Sequence, residues 1–371
     1  MAINPYLYRR FVLAVLRRWL ELAAMVRGRR FRCRSLDGTD RHGIFISSNM
    51  AVACNCQDLD GSGQIGDLRT TSFAEIFTGP TATGFRRQLA RGKLPVDRCA
   101  ACWHLQSVPA TEAQQWATAY SLPKGLSVEN TVACNLRCLS CCRPEILRSR
   151  RGAVSLTLED VEIVARTMAG LGAEHCGFYN LGEPFFSPRV RQELETIRRH
   201  NPQIKILTTT NGLLIDTDDK REAALLVDHV LFSLDGVTTP MVRRYQRGGD
   251  FDKAYQNLND LVDFRNRRGL DRPRIEWKYV VFRWNDSRAD IRRAIALAQQ
   301  AGVDAIQFLF ARTPVYGISL PFLFSPFFRK LGRGRLRVVE FERCPSARPA
   351  PAIADRQEPR AAWLPRTRAG G

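Results

Sequence analysis

From Gly125 to Phe310 the chain alternates apolar stretches of strand length with stretches of helical period. Gly125 to Thr131 sets Leu126 and Val128 against Ser127 and Glu129, the pattern of a half-buried strand. Five more strands follow at 174–180, 204–209, 229–234, 274–282 and 303–310. Helices fill the gaps: one near Leu158 to Met168, with Thr157 and Asp160 placed as at the start of a capping box, and one that Pro188 opens and that runs to His200. Others are expected within 218–227, over roughly 251–267 and from Ser287 to about Gln300. Strand and helix in strict alternation predict a parallel α/β sheet or barrel, whose chemistry sits at the C-terminal ends of the strands.

Ahead of this region, residues 1–30 read as an amphipathic basic helix. Leu7, Phe11, Val15, Trp19, Leu22 and Val26 recur at steps of three or four, opposite Arg10, Arg17 and Glu21. Arg9, Arg10, Arg17 and Arg18 interrupt it, so it lacks the apolar run of ~18 residues that a membrane span needs. No cleavage site of small residues follows it. Its apolar face is expected either to dock on the protein or to rest on an anionic membrane.

Residues 31–108 form a unit with a cysteine pattern of their own. Cys33 precedes an expected hairpin: a strand over 43–47, a turn at Ser48-Asn49, and a strand over 50–53 that ends at Cys54. A Gly-rich turn over 58–66 leads to a helix from Ser72 with Phe73, Ile76 and Phe77 on one face, then a short helix over 85–91. Cys99-Ala100-Ala101-Cys102 closes the unit, and 109–124, with Pro109 and Pro123, reads as a linker. Beyond the last strand lies an aromatic and basic extension, 313–343, in which Leu320 to Phe328 precedes Arg329, Lys330, Arg333 and Arg335. A tail rich in Pro, Ala and Arg over 344–371 reads as disordered.

Composition narrows the class. The chain has 371 residues, 44% hydrophobic and 9% aromatic, which is ordinary for a globular protein. Eleven cysteines in so long a chain without a signal peptide point to metal or redox chemistry rather than a disulfide framework. A net charge of +19 admits an anionic membrane or nucleic acid as partner. The charge is mostly arginine, as a GC-rich genome would write it, and no nucleic-acid-binding motif accompanies it, so nucleic acid is disfavoured.

The chemistry concentrates directly after the first strand, in Cys134-Asn135-Leu136-Arg137-Cys138-Leu139-Ser140-Cys141. Three thiolates at these spacings can ligate three irons of a four-iron cluster and leave the fourth open, as a catalytic site requires. Zinc is the alternative, with Cys142 as a fourth ligand. Three later strand ends carry Gly182-Glu183-Pro184, Thr209-Thr210-Asn211-Gly212 and Ser233-Leu234-Asp235-Gly236. Arg243, Arg244 and Arg247 follow closely.

Together these motifs resemble the radical SAM superfamily over roughly Cys33 to Phe310. The resemblance implies a partial (β/α)6 TIM-like barrel, with a catalytic [4Fe-4S] cluster on Cys134, Cys138 and Cys141. In that family the open iron chelates S-adenosylmethionine, which an electron then splits into methionine and a 5′-deoxyadenosyl radical. By the same resemblance Gly182, Glu183 and Pro184 lie near the methionine amino group, while Thr210, Asn211, Ser233 and Asp235 belong to the cofactor site. Ser233 and Asp235 would face ribose hydroxyls or the methionine carboxylate, and Arg247 is the favoured partner of that carboxylate. A flavodoxin or ferredoxin would supply the electron. Two residues depart from the family pattern: Leu181 replaces its first Gly, and Ser140 its usual aromatic. His175 and Cys176 read as packing residues, and no general base stands out.

The 31–108 unit resembles a SPASM or twitch auxiliary domain, placed before the core instead of after it. Cys33, Cys54, Cys99 and Cys102 would hold a second [4Fe-4S] cluster, with Cys56 as a substitute ligand, and Asn49 stands where the family has Gly in positive φ. Zinc on the same four cysteines is the competing metal. The implied activity is that of an oxidoreductase acting on a small molecule, or of a maturase acting on a ribosomal peptide. The reading of a different class is a zinc-stabilised, Arg-rich adaptor for nucleic acid or membrane. The expected location is cytoplasmic, with peripheral contact at the inner membrane face.

Overall fold

A computed structural model describes residues 5–55, 58, 61–149, 154–311, 313–332 and 336–341. Cys56, Arg333, Arg335, Cys344 and the 344–371 tail lie outside them. Five strands precede the expected barrel: β1 (Arg29–Cys33), β2 (Ile44–Ile46), β3 (Ala51–Ala53), β4 (Gln64–Asp67) and β5 (Leu105–Pro109). Six follow where the hydrophobic pattern puts them: β6 (Gly125–Val128), β7 (His175–Phe178), β8 (Lys205–Thr210), β9 (His229–Ser233), β10 (Arg274–Val281) and β11 (Ala305–Phe310). A last strand, β12 (Leu336–Glu340), returns antiparallel along β11.

All neighbours from β6 to β11 pair parallel, so the α/β expectation holds. The expected helices are present as Leu158–Gly170, Val190–His200, Asp218–Leu225, Phe251–Arg267 and Arg288–Gln300. Thr157 and Asp160 form the capping box, each side chain accepting from the other's backbone N–H. The Asp160 carboxylate also takes Arg69 Nη2 at 2.9 Å, which ties the N-terminal unit to the first barrel helix. Burial alternates along the strands as the pleat requires. Val230 and Phe232 of β9 are buried against the helices, while Leu231 and Ser233 face the barrel interior.

The N-terminal unit continues the barrel's sheet. β2 pairs parallel with β6, setting Ile44, Phe45 and Ile46 beside Leu126, Ser127 and Val128. With β3 and β4 it extends one sheet to ten strands, in the order β12-β11-β10-β9-β8-β7-β6-β2-β3-β4. β1 and β5 form a separate antiparallel pair.

Several expectations are corrected in detail. The 58–66 turn closes into β4, where a Cβ on Gly66 would lie 2.6 Å from Ile76 Cγ1, so only glycine lets the Phe73–Thr78 helix approach. The next helix is longer than expected, Pro80–Ala90, because Pro80 sits at its first turn where proline is pre-organised. The positive φ falls on Met50 (φ 67), not Asn49, whose Oδ1 accepts from Ser47 Oγ and from Ala51 N. The 109–124 linker contains the helix Ala110–Thr118, which packs on β1 and on Pro80–Ala90. Arg86 lies buried there with its guanidinium 3.6 Å from the Tyr120 ring. In the extension, Phe322 and Phe328 are buried in short helices under Arg337 of β12.

The N-terminal helix, Pro5–Val26, docks by a mixed side on which Leu20 and Ala24 pack on the core beside Arg17 and Glu21. Glu21 is buried and accepts from Leu94 N at 2.8 Å, and Arg17 pairs with Asp97 at 3.1 Å. Its apolar face is left outward: Phe11 is 70% exposed, Trp19 58% and Val26 76%. Among the described residues no helix is long and apolar enough to cross a membrane.

Candidate active site

The loop carrying Cys134, Cys138 and Cys141 leaves the C-terminal end of β6 and ends in the helix Arg143–Ser149. It has no regular structure of its own and is hung from neighbours. Arg137 N donates to Arg247 O at 3.0 Å, Leu139 N to Tyr245 O at 2.8 Å, and Glu183 N to Ala133 O at 2.8 Å. Asn211 Nδ2 donates to Asn135 Oδ1 at 2.8 Å. Burial pushes the Cys138 thiol up to about 12, with Asp235, Cys141 and Cys134 adding to it. Burial also raises Cys134 and Cys141, against the N–H groups of Leu136 (3.4 Å) and Arg143 (3.5 Å) that point at their sulfurs. The three thiols therefore occupy one locus where anionic sulfur is unstable unless a cation joins it, which is the electrostatic condition for a metal site. Cys142 Sγ turns to Ser140 O at 3.9 Å.

Glu183 is the pivot of the wall opposite. Its carboxylate is buried and accepts from Thr210 Oγ1 and Asn211 N, both at 2.7 Å, and from Phe185 N at 3.3 Å. Burial still lifts it to about 7. The local sequence allows this approach because a Cβ on Gly182 would lie 1.9 Å from Thr131 O. Pro184 O accepts from Asn130 Nδ2 at 3.1 Å. Thus Gly182, Glu183, Pro184, Thr210 and Asn211 come together beside Cys134.

Asp235 is equally buried. One carboxylate oxygen accepts from Val280 N at 2.9 Å, and burial raises the group to about 6. Gln246 and Asn285, which carry no motif, fix its backbone: Asp235 N donates to Gln246 Oε1 at 3.2 Å, and Asn285 Nδ2 to Asp235 O at 2.9 Å. Ser233 Oγ stands 3.1 Å from Thr209 Oγ1.

Arg247 meets the cysteine loop through its main chain. Its side chain is exposed, and its part in the site is the backbone carbonyl that holds Arg137. The interior cation is Lys278 on β10, which the strand pattern hid among apolar neighbours. At the barrel mouth Leu139, Arg244, Arg283, Trp284 and Tyr316 line an open groove of about 460 Å³, in the size range of small-molecule sites.

The second cysteine set converges as well. Cys33 ends β1, Cys54 follows β3, and Cys99 and Cys102 sit on the turn Asp97–Ala101 and its end. Burial pushes Cys33 up to about 12, with Cys102 and Cys99 contributing, and Cys54 is raised by burial and by Cys33, Cys99 and Cys102. Four thiols from three separate segments thus lie near enough for Cys33 and Cys54 to feel the others' charge. No three Cys, His, Asp or Glu side chains among the described residues close in on one point as a single ion requires.

The model of the Radical SAM superfamily matches residues 128–309. The match supports a radical SAM fold over that stretch, which is just under half of the chain. Curated relatives include the GTP 3',8-cyclase of Pelotomaculum thermopropionicum, 32% identical over 142 residues, which are 37% of this chain and 42% of that protein. The GTP 3',8-cyclase of Alkaliphilus oremlandii is 27% identical over 139 residues, again 37% and 42%. The chain thus matches less than half the length of these relatives. Among solved structures, anSMEcpe with bound AdoMet and a peptide is 20% identical, with a TM-score of 0.38 over 53% of this chain and 54% of that one. TYW1 with a lysine-pyruvate adduct is 16% identical, with a TM-score of 0.33 over 51% and 64%.

Cys176 is buried outward from the barrel, and His175 faces inward beside His42, ring centroids 5.7 Å apart. Both take part in packing.

Proposed function

We propose that the chain binds S-adenosylmethionine at a [4Fe-4S] cluster on Cys134, Cys138 and Cys141 and uses it to take a hydrogen atom from a substrate. What carries this reading is the convergence of the three buried thiols with Glu183, Asn211 and Asp235 at the C-terminal ends of parallel strands. With cluster and cosubstrate bound, the site supplies a 5′-deoxyadenosyl radical. The protein's own groups do the positioning. Glu183, held by Thr210 and Asn211, keeps a lone pair for the methionine amino group. Asp235, fixed through one oxygen, offers the other to a ribose hydroxyl. The surrounding buried wall excludes water from a reactive centre.

Cys33, Cys54, Cys99 and Cys102 would hold an auxiliary [4Fe-4S] cluster, which supports an oxidative modification because it is an acceptor for one electron. The arginines of the mouth groove favour a small anionic substrate over a ribosomal peptide. The relatives' action on GTP, which their names state, is compatible with that charge. Metal analysis of anaerobically reconstituted protein tests the reading: brown protein with about eight irons per chain is expected. A colourless protein with stoichiometric zinc would return the chain to the adaptor class.

The enzyme is further proposed to act at an anionic membrane surface. Pro5–Val26 is docked by Glu21 and Arg17, so its outward Phe11, Val15, Trp19 and Leu22 are free to insert, with Arg18 beside them. Phe11→Glu with Trp19→Glu leaves the docking contacts intact. It should abolish co-sedimentation with phosphatidylserine-containing vesicles, whereas undiminished sedimentation would refute the surface reading.

A further inference from the structure

Past β11 the chain returns to the end of β10. Phe282 bridges to Ile318, and Arg283 N donates to Gly317 O at 2.9 Å. Gly317 lies against Trp284, where a Cβ would come within 2.8 Å of the indole. These contacts seat the segment 315–318 at the groove that Leu139, Arg244, Arg283, Trp284 and Tyr316 line. The Tyr316 ring stands 6.4 Å from the Trp284 ring, and the Arg244 guanidinium 5.8 Å from it. Ser319 then caps the helix Leu320–Phe324. Phe322 is its buried residue, which leaves Leu320, Leu323 and Phe324 together on the outer side. With Val315 and Tyr316 they make an exposed apolar strip; Leu320 is 61% exposed and Phe324 65%. Single exposed apolar residues are ordinary, but a strip that continues from a catalytic mouth marks a binding surface.

Basic side chains edge the strip. Arg329 Nη2 donates to Phe324 O at 2.7 Å, and the guanidinium groups of Arg288 and Arg292 lie 5.9 and 5.8 Å from the Phe327 ring. Asp286, on the same side, is engaged by Ser319 Oγ at 2.7 Å. The surface therefore reads, from the strip inward, apolar side chains, then two amphipathic rings, then two arginines. That is the order of a lipid: chain, interface, anionic head.

We propose that the mouth groove takes a membrane lipid with a phosphate headgroup as substrate, the phosphate between Arg244 and Arg283 and the chain along Val315, Tyr316, Leu320, Leu323 and Phe324. Guanidinium forks match phosphate oxygens, and a chain laid on the strip leaves water together with it. A soluble anion of equal charge would leave the strip bare. The inference rests on the groove being the entrance for an anionic substrate, as proposed above, and names the class: an amphiphile whose head, not whose chain, reaches the radical centre.

Monomeric lipid separates this from recruitment by the N-terminal helix, since no bilayer is present. Iron-replete protein with S-adenosylmethionine bound is titrated calorimetrically with dihexanoyl phosphatidic acid below its micelle concentration, and with glycerol 3-phosphate, the same head without chains. Wild type should bind the lipid tighter than glycerol 3-phosphate by roughly tenfold or more, because removing only a few methylenes from water supplies that factor. Leu320→Ser with Phe324→Ser should lose this advantage and bind glycerol 3-phosphate as wild type does; Leu320→Gln alone is the milder variant and should lose part of it. Arg244→Gln with Arg283→Gln should weaken both ligands by roughly tenfold. All these side chains are exposed, and circular dichroism with iron content checks each fold. Equal affinity of wild type for lipid and glycerol 3-phosphate, or an advantage that survives the serine pair, overturns the inference and leaves the anionic groove standing. Unchanged binding of both ligands by the arginine variant overturns the groove with it. A wild-type dimer in analytical ultracentrifugation that the serine pair dissolves, with lipid bound no better than its head, would give the strip to a second copy and also overturn the inference. Reductive cleavage of S-adenosylmethionine is read without substrate, so the radical SAM reading fails or stands separately.

Discussion

Cys134→Ala should leave reconstituted protein with about half its iron, roughly four instead of eight per chain, and with no reductive cleavage of S-adenosylmethionine. The loss of activity should be complete rather than graded. Cys134 is one of three thiols that share the loop, and its sulfur receives Leu136 N and lies 3.9 Å from Asn211 Nδ2. The loop itself should persist, because it is suspended through Arg137, Leu139 and Ala133 backbone groups and not through the thiol. The folded variant is therefore a fair test of ligation. Iron determination and chromatographic assay of 5′-deoxyadenosine read the two outcomes. Cleavage at the wild-type rate by Cys134→Ala would remove the assignment of this loop.

Replacing Cys99 and Cys102 together by Ala should also halve the iron but spare 5′-deoxyadenosine formation under dithionite. The reason is spatial: these thiols answer to Cys33 and Cys54, while Cys134, Cys138 and Cys141 answer to one another. A large loss of stability is expected as well, of the order of several kcal/mol, because a cluster staples segments that are far apart in sequence. Arg86, buried beside this site and lowered to about 10 by burial, would then face no thiolate charge from Cys33. Thermal melting of reconstituted protein reads that loss, and the extinction of one of two reduced-cluster signals in electron paramagnetic resonance reads the missing cluster. A double variant with full iron content would show that the four cysteines are not ligands.

The strand order of the barrel was legible because each strand's apolar face repeats at period two and each helix announces its start: Thr157 with Asp160, Ser287 with Asp290. The motif residues were legible because they stand at strand ends. Three things were not. The continuation of the barrel sheet into β2, β3 and β4 depends on pairing between Ile44–Ile46 and Leu126–Val128, residues some eighty positions apart that no local pattern links. The helix Ala110–Thr118 was hidden because Pro109 and Pro123 flank it and read as linker signals, although Pro109 is its N-cap. Lys278 was hidden because a lone lysine among the apolar residues of Arg274–Val281 does not show which way it points, and β10 lies between β9 and β11. Arg247 was favoured for the converse reason. Proximity in sequence to Asp235 does not fix where a long side chain points, and the tight segment 245–249 spends its backbone on the cysteine loop.

The most direct measurement is the yield of 5′-deoxyadenosine when wild-type protein, reconstituted anaerobically with iron and sulfide, meets S-adenosylmethionine and dithionite. The radical SAM reading predicts 5′-deoxyadenosine together with an equal amount of methionine, even without substrate. Iron-replete, folded protein that binds S-adenosylmethionine yet releases neither product would contradict it.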